Sequence, residues 1–192
     1  MLLTFVDASE DFCHSSAVLF QKDLRPDPRM VSLAWQVFSD CGRGKQQRFL
    51  FPDTLQALAL DRDGNYLPPL KLETGSVCRV AKGRILPLNV GATKGAITVV
   101  AEMELAAVAI GRGERPMIML LQPEMGETVL FHPDPLVYMT LGRNIRESRP
   151  LEEAELFGPI SALNIPEHDE ANIVLVGGYA SPLDFRLELS QA

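Results

Sequence analysis

The chain has 192 residues, 46% of them hydrophobic and 22% charged, enough to bury a sizeable core and to set one domain, residues 1–192, as the default. Eighteen Lys and Arg against 25 Asp and Glu leave a net charge of -7. That balance opposes counterion-release binding to nucleic acid and makes an anionic membrane repulsive.

In chain order, Met1 to Val6 is apolar, but Asp7, Glu10 and Asp11 follow at once with no basic start and no small-residue cleavage site, so a cytoplasmic protein without a secretory leader is expected. Asp23 to Arg29, with Pro26 and Pro28, reads as a rigid surface loop. Val31, Leu33, Trp35 and Val37 share one face of a strand, where a single Trp among aliphatic side chains is a core anchor more readily than a ligand platform. Asp63-Gly64, between Leu58-Leu60 and Tyr66-Leu67, signals a tight hairpin. The run Asp61-Arg62-Asp63-Gly64-Asn65 has calcium-like oxygens, but its glycine is fourth rather than sixth and the next acid, Glu73, is misplaced, which leaves the hairpin.

Ile97, Val99, Ala101, Met103 and Leu105 alternate with Thr98, Val100, Glu102 and Glu104 as one strand. Its two carboxylates would project from one face roughly 7 Å apart. Paired acids at such separations can do glycosidic chemistry, and a solvated face carries the same residues. The whole apolar stretch Ala96 to Gly111 falls short of the ~20 residues that span a bilayer. Gly111-Arg112-Gly113 joins this region to a strand from Met117; with Arg115, Lys94 and Gly95 it can also form a small anion nest. Met117 to Leu121 is apolar throughout and demands cover on both faces, from the sandwich or from a partner subunit. Pro150 to Gly158, with proline at the start, acids in the first turn and a closing glycine, predicts a helix of about two turns. Leu183, Phe185, Leu187 and Leu189 interleave with Asp184, Arg186 and Glu188 as a half-buried strand. No internal repeat, low-complexity tract or dividing linker is visible. The pattern predicts an all-β fold, a two-layer antiparallel β-sandwich with one short helix near the C-terminal third.

Cys13, Cys41 and Cys78 are odd in number and lack CxxC spacing, which fits separate reduced thiols. His14, His132 and His168 have no partner at metal-ligand spacing, although His168 stands among Glu167, Asp169 and Glu170; neither metal nor cofactor is expected. There is no GxSxG elbow, and no cysteine has a recognisable catalytic context.

Two stretches resemble a bacterial family. Val31-Ser32-Leu33-Ala34-Trp35 with Arg48 to Phe51, and Val108 to Gly142 with its Phe131-His132-Pro133-Asp134-Pro135-Leu136-Val137-Tyr138 segment, resemble the rhizosphere-expressed Rhi A-like proteins over residues about 30–142. The resemblance implies a small bacterial β-protein made inside the cell and tied to community or host-associated life, and it supplies no catalytic residues.

The expected function is a non-enzymatic binding or assembly protein that self-associates or takes a protein partner, with loops Asp23 to Arg29, Asp40 to Gln47 and Gly111 to Arg115 presenting the site. Trp35, Arg112, Arg115, His132 and Tyr138 are the candidate ligand-binding residues. An alternative is a small-molecule or carbohydrate-binding module stacking its ligand on Trp35, Tyr66 or Tyr138. A further alternative is a hydrolase using Glu102, Glu104 and His132.

Overall fold

The computed structural model describes residues 1–10, 15–91, 93–165, 170–178 and 181–189. The fold is all-β: the regular structure of these residues is seventeen strands and a single 3-10 turn. Where length alone sets one domain, contacts group the chain into two compact units: Met1–Gln21, Ala34–Pro52 and Pro135–Ala192 make unit 1, and Lys22–Leu33 and Asp53–Asp134 make unit 2.

Unit 1 contains β1 (Leu2–Asp7), β2 (Ser16–Phe20), β4 (Gln36–Phe38), β5 (Gln46–Leu50), β14 (Val137–Gly142), β15 (Ser161–Leu163), β16 (Glu170–Gly178) and β17 (Ser181–Leu189). One sheet runs β17-β16-β1-β5, with β1 and β16 parallel; the other runs β15-β14-β2-β4. Leu3 and Phe5 of β1 alternate with half-buried neighbours, so one face of the first sheet points inward. Rings fill the space between the sheets: Phe5 stacks on Phe38 with centroids 4.5 Å apart, and Phe38 meets Phe49 edge-on at 5.1 Å. This is sandwich packing.

Unit 2 contains β3 (Met30–Ser32), β6 (Leu55–Asp61), β7 (Leu70–Leu72), β8 (Val77–Ala81), β9 (Arg84–Leu88), β10 (Ile97–Ala101), β11 (Leu105–Arg112), β12 (Arg115–Leu121) and β13 (Thr128–Phe131). Its sheets run β13-β10-β8-β9, with β10 and β8 parallel, and β3-β12-β11-β6-β7, antiparallel throughout. Glycine sets the β11–β12 hairpin: Gly113 at φ 56° and Glu114 at φ 63° give the primed turn that matches strand twist.

Three expectations change in detail, and a fourth takes one of its two alternatives. The predicted helix over 150–158 is a single 3-10 turn, Glu153–Glu155, flanked by extended Glu152 and Leu156 and closed by no side-chain cap. The run from Ile97 to Leu105 is two strands in different sheets, because Glu102 donates its N–H to the Val80 carbonyl and the chain then leaves β8's sheet at the turn. Val31 to Val37 likewise splits into β3 and β4, which belong to different units. Met117 to Leu121 lies between β3 and β11 with Met117, Ile118 and Leu120 buried, so its apolar faces are covered without a partner subunit, and Leu121 alone of the large side chains emerges.

Candidate functional site

The five candidate residues fall in both units. In unit 1, Trp35 is 2% exposed and packs edge-on against Phe51 (5.4 Å) and Phe49 (6.2 Å), so its ring faces are core and offer a ligand no stacking surface. Tyr138 is half-buried, tilted against Phe20 at 5.7 Å, its backbone paired across β2 and β15.

In unit 2, Arg112 and Arg115 face each other across the β11–β12 hairpin, but only Arg115 is exposed. The Arg112 guanidinium donates through Nη1 to the Asp53 carbonyl at 2.5 Å, and burial pulls its pKa below the ordinary arginine value, Asp53's charge opposing. The hairpin is therefore a strand connection braced by its own arginine. Its Glu114 N–H is given to Gln56 Oε1 at 2.7 Å rather than to an anion.

His132 is drawn to Asp23. Its backbone N–H donates to Asp23 Oδ2 at 2.7 Å, and Nδ1 lies 4.0 Å from Asp23 Oδ1. Asp23 also accepts the Arg25 N–H at 2.8 Å, which folds the start of the 23–29 loop onto the end of β13. A histidine held beside a carboxylate can move a proton, but Glu102 and Glu104 do not join it. Glu102 pairs with Arg79 at 3.4 Å and Glu104 with Arg62 at 2.6 Å, and they flank a turn rather than sharing a strand face. The dyad read from alternation separates for that reason.

Asp61 uses its carboxylate on the turn itself, accepting N–H groups of Asn65 at 2.8 Å and Asp63 at 3.0 Å, with Gly64 at φ 83°. The Asn65 bond leads in holding its pKa below the usual carboxylate range. Among the described residues no group of three His, Cys, Asp or Glu converges as a metal site. Cys41 and Cys78 are buried free thiols, pushed up to about 11 and about 12 by desolvation. Cys13, His14 and the His168 cluster with Glu167 and Asp169 lie outside the described residues.

Sequence reasoning missed two features. Arg29 ends the predicted loop and bridges Asp27 and Glu127, raising its own pKa, lowering both of theirs, and walling a shallow cleft with Glu124, Met125 and Gly126. Its one arginine is outnumbered by the acids Asp27, Glu124 and Glu127, and both of its ion pairs are spent within the cleft wall. The second is a pair of exposed leucines on outermost strands, Leu50 of β5 at 67% and Leu130 of β13 at 37%. Alternation could have signalled them, because each sits between two buried residues: Phe49 and Phe51, Val129 and Phe131. No helix among the described residues is long and apolar enough to cross a membrane. Comparison with protein-family models, with curated proteins and with solved structures finds no match.

Proposed function

We propose that the chain is a non-enzymatic binding or assembly protein that joins extended segments of other chains, its own copies included, along two open sheet edges. The supporting observation is an asymmetry between the edges of the two mixed sheets. The edge strands β17 and β9 carry Pro182 and Pro87, residues that cannot extend a ladder, and β17 adds Asp184, Arg186 and Glu188. The opposite edges, β5 and β13, have no proline, and each turns a leucine outward. An edge strand without proline is a template for strand addition, with backbone hydrogen bonds giving affinity and the leucine an apolar anchor.

Multi-angle light scattering and sedimentation at micromolar concentration test this. The wild type is expected above monomer mass, and Leu50→Lys with Leu130→Lys is expected to shift it to monomer while circular dichroism stays unchanged. A wild type that remains strictly monomeric ends the self-assembly reading.

A further inference from the structure

The two units obey one pairing scheme. Their mixed sheets run β17-β16-β1-β5 and β9-β8-β10-β13, each an inner parallel pair flanked by antiparallel strands. Their other sheets run β15-β14-β2-β4 and β7-β6-β11-β12, antiparallel throughout, with β3 added outside β12. Matched position by position, β1, β2, β4 and β5 correspond to β10, β11, β12 and β13, and β6 to β9 correspond to β14 to β17. Each matched set keeps the same chain order.

Superposing the registers brings similar sequence into line. Ala17, Val18 and Leu19 face Leu141, Thr140 and Met139, as Ala107, Val108 and Ala109 face Leu60, Ala59 and Leu58. Leu60 is thereby equivalent to Leu141, and the same alignment sets Asp53 on Asp134 and Leu55 on Leu136. The surrounding sequences are Phe51-Pro52-Asp53-Thr54-Leu55 and Phe131-His132-Pro133-Asp134-Pro135-Leu136, which differ in length by one inserted histidine. In the mixed sheets Leu3 faces Phe49 and Ala171, and Val99 faces Val129 and Cys78; all six are buried.

We infer that the chain is two fused copies of one repeat, residues 2–88 and 97–189, with exchanged halves. The first half of each repeat finds its neighbours in the second half of the other, so each unit draws on both copies. Apart from the Lys22–Leu33 excursion that lays β3 beside β12, the chain passes from one unit to the other at 51–55 and 131–136, which are the hinges of the exchange, and 89–96 is the joint between copies. This is the connectivity of a strand-exchanged homodimer written into a single chain. Leu50 and Leu130 then occupy the same repeat position, so the edge surface occurs twice per chain; that consequence rests on the function proposed above, whereas the repeat does not.

Two experiments on the full chain test it. With a protease site placed in the joint 89–96, cleavage is expected to leave both fragments co-eluting at the mass of the intact protein under native conditions and separating only in denaturant. Fragments that part in native buffer would show two consecutive, unexchanged domains and overturn the exchange. For the equivalence, Phe51 to Leu55 is replaced by the sequence Phe-His-Pro-Asp-Pro-Leu taken from 131–136, with a Gly/Ser insert of the same length as comparison. The transplant is expected to melt within about 5 °C of wild type and the comparison well below it. A transplant that melts no higher than the Gly/Ser insert overturns the repeat.

Discussion

Unit 1 is packed with rings, and unit 2 is packed with aliphatic side chains. Tyr66 and Phe131 are the aromatic residues of unit 2, and Tyr66 is 53% exposed; the other aromatics among the described residues fall in unit 1. Val80, Val99, Val108, Ile110 and Ile118 do in unit 2 what Phe5, Trp35, Phe38 and Phe49 do in unit 1. The strand order is nonetheless the same in both. Pairing scheme and inward alternation therefore tolerate a wholesale change of core chemistry, provided each inward position remains apolar and the volume is filled.

The widest separation between the units is expected at Phe38 and its counterpart. Phe38, opposite Ala17, is 1% exposed and touches two rings, whereas Leu121, opposite Ala107, is 42% exposed. Phe38→Ala should cost about 3–5 kcal/mol, the range for removing a buried ring, and Leu121→Ala less than about 1 kcal/mol. Urea unfolding followed by circular dichroism measures both. Equal losses would mean that the aromatic cluster does not carry unit 1.

Glycines sharpen the comparison at the next level. A Cβ on Gly111, where β11 bulges against β12, would overlap the Arg115 carbonyl, which is backbone and cannot turn aside. A Cβ on Gly142 in unit 1 would instead meet the Cδ1 of Ile145, the end of a flexible side chain, and come within 3.0 Å of the Glu155 carbonyl. Gly111→Ala is expected to cost about 3 kcal/mol and Gly142→Ala nearer 1 kcal/mol. Reversal of that order would show that the bulge yields more easily than the Ile145 rotamer.

Strand content was legible from alternation because period two survives in β1 and β10 whatever the core is made of. What alternation cannot reveal is which sheet a strand joins. The apolar phase runs on from Ala101 through Met103 to Leu105 while the chain changes sheets, and that error alone created the Glu102–Glu104 pair. The repeat was hidden for a related reason: the spacing between equivalent residues narrows from Leu3 and Val99 to Phe51 and Phe131 and widens again to Ile85 and Leu187, with β3 interrupting one copy. No fixed period exists to be found. Of the candidate site, Trp35 was already readable as core. Arg112, by contrast, required the position of the Asp53 carbonyl, which no local pattern specifies.

Thiol chemistry compares the units by rate. Cys78 in unit 2 is raised to about 12 by burial alone, whereas Cys41 in unit 1, raised to about 11, also feels Asp7 and the opposing Lys45. In a Cys13→Ser background both should be inert to a thiol reagent at about pH 8 and react at once in urea, Cys41 leading Cys78 as pH is raised. Because folding favours the protonated thiol, this contribution is complete below the ordinary value of 9.0 and is lost as pH climbs from there towards 11 and 12. Rapid labelling of native Cys78 at neutral pH would contradict its burial.

The smallest effect is expected at Asp61, whose repeat counterpart is Gly142. In unit 2 the position belongs to a turn, and the exposed carboxylate gathers the N–H groups of Asn65 and Asp63; in unit 1 it is a glycine packed against the Cδ1 of Ile145. Asp61 is solvated, so its bonds compete with water and Asp61→Ala should lower the urea midpoint only slightly. The sign of its pH dependence is fixed. A carboxyl held below its ordinary 3.8 stabilises the fold above that value and loses the contribution as pH falls through its depressed folded value. The difference between Asp61→Ala and wild type should therefore be present at about pH 7 and shrink towards about pH 3. A gap that stayed constant across that range would mean that the turn depends on the shape of the side chain and not on its charge.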